Sequence, residues 1–161
     1  MEVSKQVRMD NLYMDLAERV SKESKARRLQ VGAILVKDDN IISFGWNGMP
    51  SGMDNNCEDE VWTPNEGPWG DAGEYVLTTK KEVLHAESNC LMKLVADDSG
   101  TGSKDSTLYV TTAPCSDCAK LIKQAKIKRV VFKHHYRLQD GYELIKKMGI
   151  QIEQLEDTTN K

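Results

Sequence analysis

Two short motifs constrain this chain more than any other feature: His85-Ala86-Glu87, and Pro114-Cys115-Ser116-Asp117-Cys118 downstream. One imidazole and two thiols are donors that zinc prefers, and three of them leave a tetrahedral ion one open position, as in catalytic rather than closed structural sites. Residues two apart in the middle of a helix point roughly 200° away from each other. His85 and Glu87 can therefore face one site only from a first turn, where side chains fold over the helix end. Cys115 and Cys118, three apart, fall on one side of a second helix, and Pro114 suits the start of that helix. The fold must then bring two helix N-termini together. Free amides and a partial positive charge at such ends lower thiol pKa and help one ion to hold two thiolates.

The remaining periodicity supplies a scaffold. Over residues 9–24, Met9, Leu12, Tyr13, Leu16, Ala17 and Val20 recur at helical spacing, with Arg8, Asp15, Glu18 and Arg19 on the other face. Residues 31–36 form a continuous apolar run, as in a strand buried on both faces. After a turn at 37–40, residues 41–46 form a second strand, antiparallel to the first because so short a link allows only a hairpin. From 47 to 79 periodicity disappears, and Gly48, Pro50, Gly52, Asn55, Asn56, Pro64, Gly67, Pro68 and Gly70 dominate. This predicts a long loop insertion over about residues 48–80, read as a cover or regulatory surface in preference to a surface excursion packed on its own aromatics, with Trp62 and Trp69 arguing against disorder. Beyond it the pattern predicts helices over 85–96, 114–125 and 141–148, strands over 107–111, 129–133 and 150–153, and a polar tail at 157–161. One domain over residues 1–161 is expected, an α/β fold in which a mixed sheet lies between helices on both faces.

A formal charge of −3 with acids and bases intermixed argues against a nucleic-acid partner. A small anionic substrate remains compatible, because a few local arginines suffice. No apolar run approaches the roughly 20 residues of a membrane span, and the first residues lack the apolar segment of an export signal. The four cysteines then suit a reducing cytoplasm and a metal better than disulfides. Glu87, two residues from a ligand, is placed to take a proton from water and hand it to a substrate. The competing arrangement is a closed zinc site completed by Cys57 or Cys90, although Cys90 sits on the apolar side of its helix as a small core residue. His134 and His135 follow a strand directly, and with Tyr136 and Arg137 they form a polar cluster at a strand end, where ligands of α/β sheets bind. Arg28, just before the first strand, is a second cation able to grip a phosphate through its planar fork.

These residues resemble the deoxycytidylate deaminases of the cytidine deaminase superfamily. The resemblance rests on residues 31–36, on Gly45-Trp46-Asn47-Gly48-Met49-Pro50-Ser51-Gly52, on Val83-Leu84-His85-Ala86-Glu87, and on residues 111–120, which include Pro114-Cys115-Ser116-Asp117-Cys118. The pairing of H-x-E with P-C-x-x-C marks zinc deaminases that act on cytosine or adenine rings. It implies a three-layer α/β/α cytidine deaminase-like fold with a mixed five-stranded sheet, and hydrolysis of dCMP to dUMP and ammonia for thymidylate synthesis. It implies one zinc on His85, Cys115 and Cys118, Glu87 as proton shuttle, Asn47 at the deoxyribose, Ala86 at the pyrimidine, and Arg28, Tyr136 and Arg137 at the phosphate. Larger family members are hexamers activated by dCTP with Mg²⁺ and inhibited by dTTP, which places an effector contact at Gly48 and Met49. Trp46 stands where the family usually has tyrosine. Ala26 and the run Thr78-Thr79-Lys80-Lys81 replace a cysteine and a histidine of some members, leaving Cys57 without evident metal partners and Lys80 or Lys81 to meet the phosphate instead. The alternatives are a related deaminase acting on a free nucleoside or on tRNA adenosine, and a non-catalytic zinc-stabilised binding module.

Overall fold

Strand β1 (Gly32–Lys37) is almost wholly buried, and Asp38 and Asp39 behind it both take left-handed φ values, 51° and 60°. Two such residues twist the chain in the sense a tight hairpin needs, and they return it antiparallel as β2 (Asn40–Trp46). The computed structural model describes residues 3–65 and 72–155. Gly67, Pro68, Trp69, Gly70 and the polar tail at 157–161 lie outside the described residues.

Ahead of the hairpin, α1 (Lys5–Ser21) starts at Ser4, whose Oγ accepts the Val7 N–H. The helix begins earlier and ends earlier than its apolar pattern predicts, and its inward face is turned. Asp10, Tyr13, Met14, Ala17 and Ser21 are buried, while Leu12 is exposed. Asp10 causes the rotation: it faces inward to meet Arg129, a partner that helical periodicity does not register.

The predicted loop over 48–80 needs correction. It holds an antiparallel hairpin of its own, β3 (Glu58–Pro64) with β4 (Gly73–Thr79), standing apart from the main sheet. Apart from Glu58 these strands bury little, so no face demanded alternating apolar residues. Val61, Trp62, Thr63 and Tyr75, Val76, Leu77 are nonetheless good strand formers, and Trp62 packs edge-on against Tyr75.

After the second hairpin come α2 (Ala86–Val95), β5 (Thr107–Thr112), α3 (Ser116–Gln124), β6 (Arg129–His134), α4 (Asp140–Lys147) and β7 (Gln151–Gln154). The main sheet has five strands in the order β2-β1-β5-β6-β7. β1 runs antiparallel to both neighbours, and β5, β6 and β7 are mutually parallel. β2 therefore points the same way as β5, β6 and β7. Residues of alternate parity feed two cores, as strand geometry requires. Ile34, Val36, Tyr109 and Val131 pack under α1, whereas Ala33, Leu35, Leu108, Val110, Val130 and Phe132 pack under α2, α3 and α4. The result is the mixed sheet between two helical layers that the sequence predicts, with α1 alone on one side. Among the described residues no helix is long and apolar enough to cross a membrane.

Candidate metal centre and substrate cavity

Because β2, β5 and β6 share a direction, their C-terminal ends reach one edge of the sheet, and α2, entered after the β3–β4 hairpin, and α3, which follows β5, begin there. His85 is the N-cap of α2, and Cys115 is the N-cap of α3. Neither side chain caps its own helix, so both are left to point outward. Two close approaches hold these ends in place. A Cβ on Gly45 of β2 would lie 2.5 Å from the Cys90 nitrogen and 2.8 Å from the Ala86 oxygen, so α2 sits directly on β2. A Cβ on Gly141 would lie 2.0 Å from the Pro114 oxygen, so α4 rests on the bend that presents Cys115. Asn89 Nδ2 donates to the Trp46 oxygen and ties the first turn of α2 to the end of β2.

The His85 Nδ1 lies 3.4 Å from the Sγ of Cys115 and 3.4 Å from that of Cys118. All three donors fall within 4.8 Å of one another. A tetrahedral ion with bonds of about 2.3 Å to sulfur and about 2.0 Å to nitrogen holds those atoms about 3.6 Å apart, so the arrangement fits zinc. Electrostatics agrees. The two sulfurs share a proton: a hydrogen bond from Cys118, then His85, hold the Cys115 thiol down at about 4, while the bond to Cys115, burial and Glu87 push Cys118 up. Binding a divalent cation releases such a proton, since thiols ligate as thiolates. His85 is raised by its bond to Cys115 against the effect of burial.

Glu87 is 4% exposed, in the first turn of α2. Burial raises its carboxyl above the usual range, outweighing its own backbone N–H and His85, which pull the other way. A carboxyl raised in this way is the kind of group that serves as a general acid and base. Among the described residues Cys57 and Cys90 are buried free thiols that take no part in the donor cluster, which argues against the closed four-ligand arrangement. Burial pushes Cys90 up to about 11, as for an inert core thiol.

A cavity of about 400 Å³ opens over this cluster. Its wall brings together His85, Ala86, Glu87, Cys115, Asn47, Arg28, Tyr136 and Arg137, which lie far apart in sequence. His134 and His135 line it too, the latter with its ring edge-on to Phe132 and Tyr142. Asn47 is held firmly: its Oδ1 accepts the Val31 N–H and its Nδ2 donates to the Leu29 oxygen. Arg28 leans on Thr79 of β4 through its Nη1. Lys80 pairs with Asp59 instead of facing the cavity with the arginines. Gly48 bridges to Leu84 by two backbone hydrogen bonds, one residue before His85, while Met49 is half-buried beside it.

The sequence pattern did not single out Glu58. Glu58 lines the same cavity and is 1% exposed. It sits in an acidic run, Glu58-Asp59-Glu60, with nothing in the order of residues to mark which acid turns inward.

The family model for the cytidine and deoxycytidylate deaminase zinc-binding region matches residues 7–134. A deoxycytidylate deaminase from Homo sapiens is 40% identical over 122 residues, which cover 74% of this chain and 61% of that protein. The chain thus spans less than two thirds of that relative's length. The deoxycytidylate deaminase of Enterobacteria phage T4 is 31% identical, with 86% of each chain covered. Among solved structures, the dCMP deaminase of cyanophage S-TIM5 in complex with dCMP and dUMP superposes with a TM-score of 0.76 at 35% identity, covering 95% of this chain and 99% of that one.

Proposed function

The chain belongs to the cytidine and deoxycytidylate deaminase family, and on that premise we propose that it hydrolyses dCMP to dUMP and ammonia as a single catalytic domain. The observation that carries the reading is the cluster of the His85, Cys115 and Cys118 donors, of which His85 and Cys115 share one cavity wall with the buried Glu87. His85, Cys115 and Cys118 would hold zinc, which would supply Lewis acidity and lower the pKa of a bound water. Glu87 takes a proton from the attacking water and delivers it to ring nitrogen N3. A second proton, passed through the same carboxyl, leaves with the exocyclic amine as ammonia. The Ala86 N–H, free at the start of α2, donates to the ring carbonyl. Asn47 keeps one amide N–H for the sugar. Arg28, Tyr136 and Arg137 meet the phosphate at the cavity mouth, which selects nucleotide over nucleoside.

Supply of dUMP for thymidylate synthesis, assembly as a hexamer and control by dCTP with Mg²⁺ and by dTTP belong to the same reading. The Gly48 bridge to Leu84 supports the last of these, because it couples the proposed effector contact at Gly48 and Met49 to the segment that carries His85. Ammonia release by zinc-loaded protein, compared on dCMP and deoxycytidine, tests the assignment. Much faster turnover of dCMP is expected, and equal rates on both would remove the phosphate from the account.

A further inference from the structure

Glu58, the first residue of β3, has a divided carboxylate. Its Oε1 accepts the backbone N–H groups of Arg27 and Arg28, at 2.9 and 3.1 Å. Its Oε2 is buried with no hydrogen-bond partner, and the closest cation is the Nε of Arg27 at 3.7 Å. Leaving a charged oxygen buried and unpaired is costly, and this one belongs to a residue that lines the substrate cavity. Such an oxygen accepts from donors and repels anions.

A pyrimidine deoxynucleotide offers few donors. Its exocyclic amine belongs at the metal centre, and its phosphate carries acceptors only. The remaining donor is the 3′-hydroxyl of the sugar. Asn47, on the same wall, already has its Oδ1 bonded to Val31, whereas Glu58 Oε2 is, among the described residues, the buried side-chain acceptor without a partner. Building on the dCMP reading, we infer that Glu58 Oε2 accepts the 3′-hydroxyl of the bound nucleotide, and that its charge bars nucleotides whose 3′ oxygen is phosphorylated or joined to a chain. Glu58 is then a specificity residue: it confines the site to free 5′-monophosphates, through attraction to a hydroxyl and repulsion of a phosphate.

The test compares kcat/KM for dCMP, 2′,3′-dideoxycytidine 5′-monophosphate and 2′-deoxycytidine 3′,5′-bisphosphate, in the zinc-loaded native protein and in Glu58→Gln. Gln keeps an oxygen for the Arg27 and Arg28 amides but replaces the free oxygen with a donor. The native protein should turn over the dideoxy compound about 10- to 100-fold less efficiently than dCMP, the range of a charged hydrogen bond, and the bisphosphate still less well. In Glu58→Gln the efficiency on bisphosphate relative to dCMP should rise at least about tenfold. A purely structural Glu58 would lower all three substrates together. Native turnover of the dideoxy compound within about threefold of dCMP, or an unchanged bisphosphate ratio in the variant, overturns the inference. Should the variant fail to fold, the native comparison decides alone. Native protein inactive on dCMP overturns the parent reading and this one with it, whereas native protein active on dCMP but indifferent to the 3′-hydroxyl overturns this one only.

Discussion

Two buried acids, one under each helical layer of the sheet, make an instructive pair. Asp10 on α1 and Glu87 on α2 are 5% and 4% exposed, yet their carboxyl pKa values move in opposite directions. Burial raises both. At Asp10 it is overcome by hydrogen bonds from Arg129, which reaches Oδ1 and Oδ2 at 2.9 and 2.7 Å, from the Tyr109 hydroxyl at 2.6 Å and from Gln6 at 2.9 Å. Arg129 also pairs with Glu153, so one guanidinium bridges two acids on that face. Glu87 faces two cysteine sulfurs instead, and burial wins. A buried acid bonded on both oxygens to an arginine is a structural fixture, and one whose carboxyl burial raises is a candidate for proton chemistry.

The largest effect that would break this contrast comes at the metal. Chelation should abolish turnover and zinc should restore it, while the Asp10 face stays folded. Loss of activity without a change in metal content, measured by elemental analysis, would place the chemistry elsewhere. Glu87→Gln comes next, with kcat expected to fall by about 10³-fold. Zinc content and melting temperature should remain close to native, and a variant that still turned over would leave the shuttle without its carrier. Asp10→Ala should do the reverse. It removes the main partner of Arg129 and should cost about 3 kcal/mol in denaturant unfolding, with kcat little altered under folding conditions. A matching loss of kcat would mean the two faces are not separable.

The smallest and sharpest test is the acid limb of stability. The folded pKa of Asp10 lies below its unfolded value of about 3.9. Its stabilising contribution is therefore fully present above that pH and drains away as pH falls through the folded value. Stability measured by chemical unfolding below about pH 4 should decline less steeply in Asp10→Ala than in the native chain. Identical slopes would show that Asp10 is not held down.

The two faces also differ in how plainly they were written in the chain. The candidate metal donors, their placement at helix starts and the Asp38-Asp39 turn follow from residue type and spacing over a few positions. The β3–β4 hairpin was hidden, because strands exposed on both faces need no alternating pattern. Glu58 was hidden in an acidic run, and the turned face of α1 was hidden because Asp10 answers to Arg129, a residue 119 positions away.

The candidate donor residues, helix-start chemistry and the order of the main-sheet strands and helices are properties of neighbours along the backbone, so they were legible in the sequence. The company each acid keeps is another matter. Hydrogen bonds and burial link residues by distance in space, and only the folded sheet brings Arg129 to Asp10, sets Glu87 beside the cysteines rather than an arginine, and leaves one buried oxygen of Glu58 without a hydrogen-bond partner.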